Sequence, residues 1–396
     1  MKRSLLSIFL LGLLLLTGCS GGQEIESCLF VISMAVDAAE GGNLTVTVKA
    51  LSGTQEAAAP QSASPAPQGE GNKLSQQGQA EATEPGYVVM SATANSCLAA
   101  LDLLGATTPR TVNLSQLQEI VLARTLAESG AALTILREIY ALFEANGGAV
   151  IVVTPDHAGD FIRRQYAMFG VRLSQYLQVL FEHFEELGTI PPDAHLAAVV
   201  SAMESTTTDA AAVYAAANDF GSTLVLSGGS VTDRLPGHLP RTSPARNEYL
   251  GSAVFSGSRM VGTLTGDETT MLRLLLGRAQ ATSFVLGDAM MQVSRRTRVR
   301  RELHWEDGGA VLGVSVDMHL LLSAGAQEGN GADLAAQIER SAAGLIARLQ
   351  ALGSDALGFG QLAVRHYPDV KRWEASGWKE TYQNAQVRAA AEISIR

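Results

Sequence analysis

Cys19 is the residue whose neighbours give it a definite chemistry. Met1-Lys2-Arg3 is basic, and Leu5 to Leu16 is an apolar run broken only by Ser7 and Gly12. That run suits the apolar region of an export signal and is shorter than the roughly 20 residues a membrane-spanning helix needs. Leu16-Thr17-Gly18-Cys19 closes it. Small residues before a cysteine fit a signal peptidase, and the thiolate is the nucleophile that accepts a diacylglyceryl group. The expected mature chain therefore begins at Cys19, after a signal peptide of residues 1–18, and is held on a membrane by lipid. Two acyl chains anchor stably where one is marginal.

The other chemistry-bearing residues carry weaker patterns. Arg295-Arg-Thr-Arg-Val-Arg-Arg301 is the sharpest charge feature of an acidic chain. On a strand, Arg296, Arg298 and Arg300 share one face, either as a solvated edge guarded by charge or as a contact for anionic headgroups or an acidic partner loop. Glu182-His183 with Glu186 on a helix offers a metal at most a partial ligand set, and reads first as a solvated face. His157, after Thr154-Pro155-Asp156, reads as a turn residue, and Asp317 with His319 as the polar side of a strand with no nucleophile placed for them. Gly358-Phe-Gly360-Gln-Leu-Ala363 has the letters of a dinucleotide fingerprint but not the preceding strand or the later acidic residue. There is no HExxH, CxxC, P-loop or GxSxG. The expectation is no catalytic residue, no metal site and no cofactor. Cys28 and Cys97 are open either to a disulfide, which export permits, or to burial as small apolar residues.

Elements that would position these groups follow from periodicity. Leu29 to Val36 and Leu44 to Lys49 predict a hairpin, and Tyr87 resumes a strand. Residues 52–86, dense in Ala, Pro, Gln, Ser and Gly, predict a disordered insertion within a domain. Helices are predicted over Ser96–Leu104, Ala131–Ala145, Leu173–Leu187 (with Leu177, Leu180, Phe181 and Phe184 inward), Ala194–Met203 and Asp209–Ala217, with strands at Ile120–Ala123 and Ala149–Val153. A Gly/Pro/Ser-rich connector at 229–246 is read as a linker between an N-terminal α/β region, 19–228, and a C-terminal domain, 247–396. In the latter, Thr265 and Glu268 form a capping-box signature. Asp307-Gly-Gly309 marks a hairpin, Asp333–Leu352 a helix, and Gln386–Arg396 a last strand. The fold class is α+β and multidomain, with two to three α/β domains and a C-terminal mixed or antiparallel sheet packed with helices.

The chain has 396 residues, 46% hydrophobic and 17% charged, with a formal net charge of −10. That balance speaks against nucleic acid as the main partner.

In order and spacing these segments resemble the Ger(x)C family, the C-subunit lipoproteins of bacterial spore germinant receptors. Carrying the resemblance are Thr17-Gly18-Cys19, Ser115-Gln-Leu-Gln with Ile120-Val-Leu-Ala, Ala253-Val254-Phe255, and Arg259-Met-Val-Gly262-Thr-Leu264. Gly266-Asp-Glu268-Thr269, Gly358-Phe359-Gly360, Tyr367-Pro368, Trp373 and Trp378 complete it. Where the family commonly has Cys-Trp-Asp after the leader, this chain has Cys19-Ser20-Gly21, so the Trp is missing. The resemblance implies a non-enzymatic subunit on the outer face of the inner spore membrane, acting with two integral membrane subunits, A and B, in nutrient sensing. It transfers one residue's chemistry, the lipidation of Cys19. The rival expectation is a substrate-binding lipoprotein for small-molecule uptake, which should show two similar α/β lobes.

Overall fold

The computed structural model describes residues 27–395 except 53–85, 143–144, 169, 219–231, 242, 244, 280–282, 287–288, 295–296, 307–308 and 323–330. The leader, Cys19, most of the 52–86 insertion and Arg296 lie outside the described residues.

Cys28–Ala38 (β1) turns back into Leu44–Leu51 (β2), and Tyr87–Ala94 (β3) pairs antiparallel with β2. The Ser52 amide donates to the Gly86 carbonyl at 3.0 Å, so residues 53–85 leave and re-enter at one rung of that ladder. Cys97–Gly105 (α1) starts at Ser96, whose side chain accepts from the Ala99 amide. Thr111–Asn113 (β4) lies beside the start of β1. There follow Glu119–Ala123 (β5), Arg124–Ser129 (α2), Ala132–Tyr140 (α3), Val150–Thr154 (β6), Ala158–Arg163 (α4), Leu173–Leu187 (α5), Leu196–Glu204 (α6) and Ala211–Ala217 (β7). Strands β1, β5, β6 and β7 run parallel. Asn247–Ser256 (β8) and Arg259–Leu264 (β9) extend them antiparallel, giving the order β3-β2-β1-β5-β6-β7-β8-β9 with β4 beside β1. The expected linker at 229–246 thus separates two stretches of sequence but not two sheets: β8 and β9, from its far side, complete the first.

Both faces of this sheet are covered. Leu101, Leu136 and Val199 pack with Met34, Ile120 and Ile151 on one side. Phe161, Leu177 and Phe181 pack with Ile32, Val121 and Val152 on the other. Double coverage explains the unbroken apolar runs of β5 and β6. It also explains a correction: Asp209–Ala217 is not a helix. Its alanines favour a helix intrinsically. Yet residues 212–217 are all buried between β6 and β8, where small side chains let both helical layers close in, and tertiary packing overrides the propensity.

The second unit begins with Gly266–Leu275 (α7), where the capping box forms as expected: Thr265 accepts from the Glu268 amide and Glu268 accepts from the Thr265 amide. Ser283–Leu286 (β10), Ala289–Val293 (β11), Arg298–Glu306 (β12) and Gly309–Leu322 (β13) are antiparallel, and Gln386–Ile395 (β14) joins β13 in parallel. Between them come Gly331–Leu352 (α8), Gly360–Ala363 (α9), Val370–Glu374 (α10) and Trp378–Asn384 (α11). Leu312, Val314, Val316, Met318 and Leu320 of β13 face α8 through Ile338, Leu345, Ile346 and Leu349. The opposite face is open to solvent. The chain is therefore α+β, with a mixed C-terminal sheet packed with helices. Cys28 and Cys97 are both buried and unbridged, and burial pushes the Cys97 thiol up to about 12.

Candidate functional site

Three polar constellations stand out. The first joins the two units. The loop before β7 carries Asp209, buried, whose Oδ1 accepts from the Gly257 amide at 2.6 Å and from Lys379 Nζ at 3.4 Å. Asp209 and Asp355 are cross-braced: each backbone amide is donated to the other residue, at 3.1 Å and 2.8 Å. The Asp355 carboxylate accepts from the amides of Phe359 and Gly360 and from Trp378 Nε1, at 2.9, 2.7 and 3.2 Å. Burial and the nearby Asp209 raise Asp355 from an ordinary 3.8 to about 7, against the pull of those three donors. Trp373 Nε1 donates to Thr206 Oγ1 at 2.9 Å, and the Trp373 and Trp378 rings lie 6.0 Å apart.

This joint disposes of the fingerprint at Gly358. The amides that a phosphate would need are taken by Asp355. Gly360 is glycine because a Cβ there would meet the Thr207 carbonyl at 2.6 Å and Trp378 Nε1 at 2.8 Å. Sequence reasoning missed Asp209 and Asp355, since neither sits in a motif.

The second constellation is buried under α4 and α5. Glu119, at the start of β5, accepts from Gln165 Nε2 and, at 3.2 Å, from the Tyr249 hydroxyl. Ser33 donates to Gln165 Oε1 at 3.1 Å, and Lys49 Nζ donates to the Gln165 carbonyl and lies 5.6 Å from the Tyr87 ring centroid. Burial raises Glu119, while Gln165, Ser33, Tyr249 and the Lys49 charge oppose the rise. Burial, with the Glu119 charge beside it, also pushes the Tyr249 hydroxyl well up. A buried carboxylate and ammonium of this kind are weak evidence for added stability, but removing either would leave the other uncompensated. Lys49 alternates in sequence like a solvated strand residue, and only the covering helices make it internal.

The third is the open face of the second sheet. Arg298 and Arg300 are exposed on β12, opposite Asp317 and Ser315 of β13, with Glu392 on β14 lining the same shallow groove. Among the described strands β12 pairs only with β13, so it is an edge. Asp317 and His319 approach to 3.6 Å on that polar side.

The remaining candidates are placed simply. His183 is exposed on α5. No group of three or more His, Cys, Asp or Glu among the described residues is close enough to hold a metal. His157 does more than turn the chain: its Nδ1 is 2.9 Å from Asp37 Oδ2, and Asp37 also accepts from the amides of Ala158 and Gly159 at the start of α4. No helix among the described residues is long and apolar enough to cross a membrane.

A doubly covered mixed sheet joined through buried carboxylates to a half-open one defines a two-unit α+β protein. The comparisons with known proteins are specific. A model described as a spore germination protein N-terminal domain matches residues 21–216, and one described as spore germination B3/GerAC-like, C-terminal, matches 250–396. The chain belongs to the GerAC-like family of spore germination proteins, the C subunits of germinant receptors, as its motifs suggest. No curated protein sequence matches it. Among solved structures, the crystal structure of the GerBC protein is similar at 13% identity and a TM-score of 0.47, covering 91% of this chain and 96% of that one.

Proposed function

We propose that the chain is the lipid-anchored, non-enzymatic subunit of a spore germinant receptor. In this reading Cys19 carries the diacylglyceryl group and holds the protein on the outer face of the inner spore membrane, beside integral A and B subunits. The observation that carries the reading is the pair of family matches in their expected order along the chain. The role is assembly. The buried joint at Asp209 and Asp355 keeps the two units in one orientation, so that surfaces on both can meet membrane partners together. The basic strip of Arg296, Arg298 and Arg300 is the proposed contact for anionic headgroups or an acidic partner loop. An uptake lipoprotein with two similar lobes fits less well, because the two sheets differ in strand number, order and coverage.

The deciding experiment compares spores carrying the natural chain, Cys19→Ala, or a deletion. Loss of the protein from the membrane fraction in Cys19→Ala, with slowed nutrient-triggered germination in both mutants, is expected. A Cys19→Ala protein that stays in the membrane fraction would sink the anchor. Normal germination of the deletion strain with every nutrient, other receptor genes having been removed, would sink the receptor role.

A further inference from the structure

The apolar face of α5 is wider than its core requires. Leu177 and Phe181 are fully packed, whereas Tyr176, Leu180 and Phe184 are half-buried and Leu187 is 41% exposed. The surplus does not face bulk water on a flat surface. It lines a half-open cavity of about 340 Å³, bounded elsewhere by the 164–168 segment, by Leu239 and Arg241, and by the start of β8. Tyr249 forms part of the wall, its ring held edge-on by Phe161 and Phe181 at 5.7 and 5.3 Å. Small-molecule sites have this size and this mixture of apolar walls with a few polar groups.

The charge of the lining indicates an occupant. The lining holds Arg164, Arg241 and Arg246 against one carboxylate, Glu248, in a chain whose net charge is −10. Glu248 is already engaged by Arg241 at 2.7 Å, and Arg246 donates to the Asn218 carbonyl at 3.1 Å. The exposed Arg164 guanidinium makes no hydrogen bond or ion pair among the described residues.

We propose that this cavity binds an anionic amphiphile, with the apolar body against Leu177, Leu180 and Phe184 and the carboxylate or phosphate end at Arg164. A desolvated apolar wall supplies affinity, and a guanidinium at the mouth supplies orientation and charge selection. Two sources share this chemistry: a free carboxylic acid and an anionic membrane lipid. The site lies within one unit and does not depend on the receptor reading.

The test uses the full chain in phosphatidylcholine nanodiscs and a ten-carbon carboxylic acid bearing a diazirine, with cross-linked peptides mapped by mass spectrometry. Labelling concentrated on residues 164–187 and 247–250, competed by decanoate but not by decanol, is expected. Arg164→Glu should lower that labelling about tenfold, the scale of one charge-assisted contact. Leu180→Trp, at the half-buried lip, should block it in a chain that still unfolds at the natural denaturant midpoint. Labelling spread in proportion to exposure, equal competition by decanol, or no effect of Arg164→Glu would each overturn the proposal. In a second arm a diazirine-bearing phosphatidylglycerol replaces the free acid. Labelling of the same peptides assigns the ligand to the membrane, and labelling by the free acid alone assigns it to solution. Labelling by neither overturns the site.

Discussion

The two sheets of this protein face water in different ways. The first has helices on both sides, and its central strands are apolar in unbroken runs. The second has helices on one side only, and β12, β13 and β14 alternate. The covered sheet hides its polar groups, so Glu119 and Lys49 must satisfy each other through Gln165 and Tyr249. The half-open sheet displays Arg298, Arg300 and Asp317 to whatever comes near. One sheet is enclosed and the other presents a surface, and the buried carboxylates Asp209 and Asp355 bridge the two.

The comparison breaks most visibly in the cores. Phe181→Ala in the covered unit and Phe359→Ala at the joint should each cost about 3–5 kcal/mol, read from denaturant unfolding. Joined units predict one shared transition. Two separate transitions, each moved by one substitution alone, would show that the joint does not couple them.

Asp355 tests the joint by pH. Its folded value, about 7, lies above its ordinary 3.8, so the folded state holds the proton more tightly than the unfolded chain does. Its contribution is therefore full below about pH 4 and is lost as pH rises through 7, with a slope of at most about 1.4 kcal/mol per pH unit. Asp355→Asn should flatten this part of the stability-against-pH curve. An unchanged slope would remove Asp355 as its source.

Smaller effects sharpen the contrast. Thr265→Ala removes the capping box of α7 and should cost about 1 kcal/mol, measured by thermal unfolding. On the open face, Arg298→Ser with Arg300→Ser should leave stability within about 0.5 kcal/mol. The same pair should weaken co-sedimentation of the unlipidated Cys19→Ala chain with anionic vesicles. Vesicle binding equal to that of the unsubstituted Cys19→Ala chain would leave these arginines as edge protection alone.

What the sequence makes legible follows the same division. The half-open sheet obeys local rules, so the Asp307-Gly-Gly309 hairpin, the Thr265 cap, α8 and β14 can all be read from spacing. In the covered sheet local rules compete with packing. The alanines of β7 point to a helix until neighbouring strands bury them, and Lys49 looks solvated until α4 and α5 cover it. The linker at 229–246 looks like a boundary because its composition changes, although hydrogen bonding between β7 and β8 crosses it. Asp209 and Asp355 are 146 positions apart, and no local pattern announces a partner at that distance. The surplus apolar residues of α5 are visible in sequence, but only the structure shows that they line a cavity.

The bond between Ser52 and Gly86 has a consequence for how such a chain can change. The rung that closes residues 53–85 belongs to β2 and β3, and both strands are held by their own pairings. Loop closure grows only with the logarithm of length, about 0.6 kcal/mol for each doubling. A change of length at this point therefore meets two strand ends already fixed by their own pairings. A fluorescent reporter spliced in near Gly71 should leave the receptor subunit intact and make its assembly visible in the living spore.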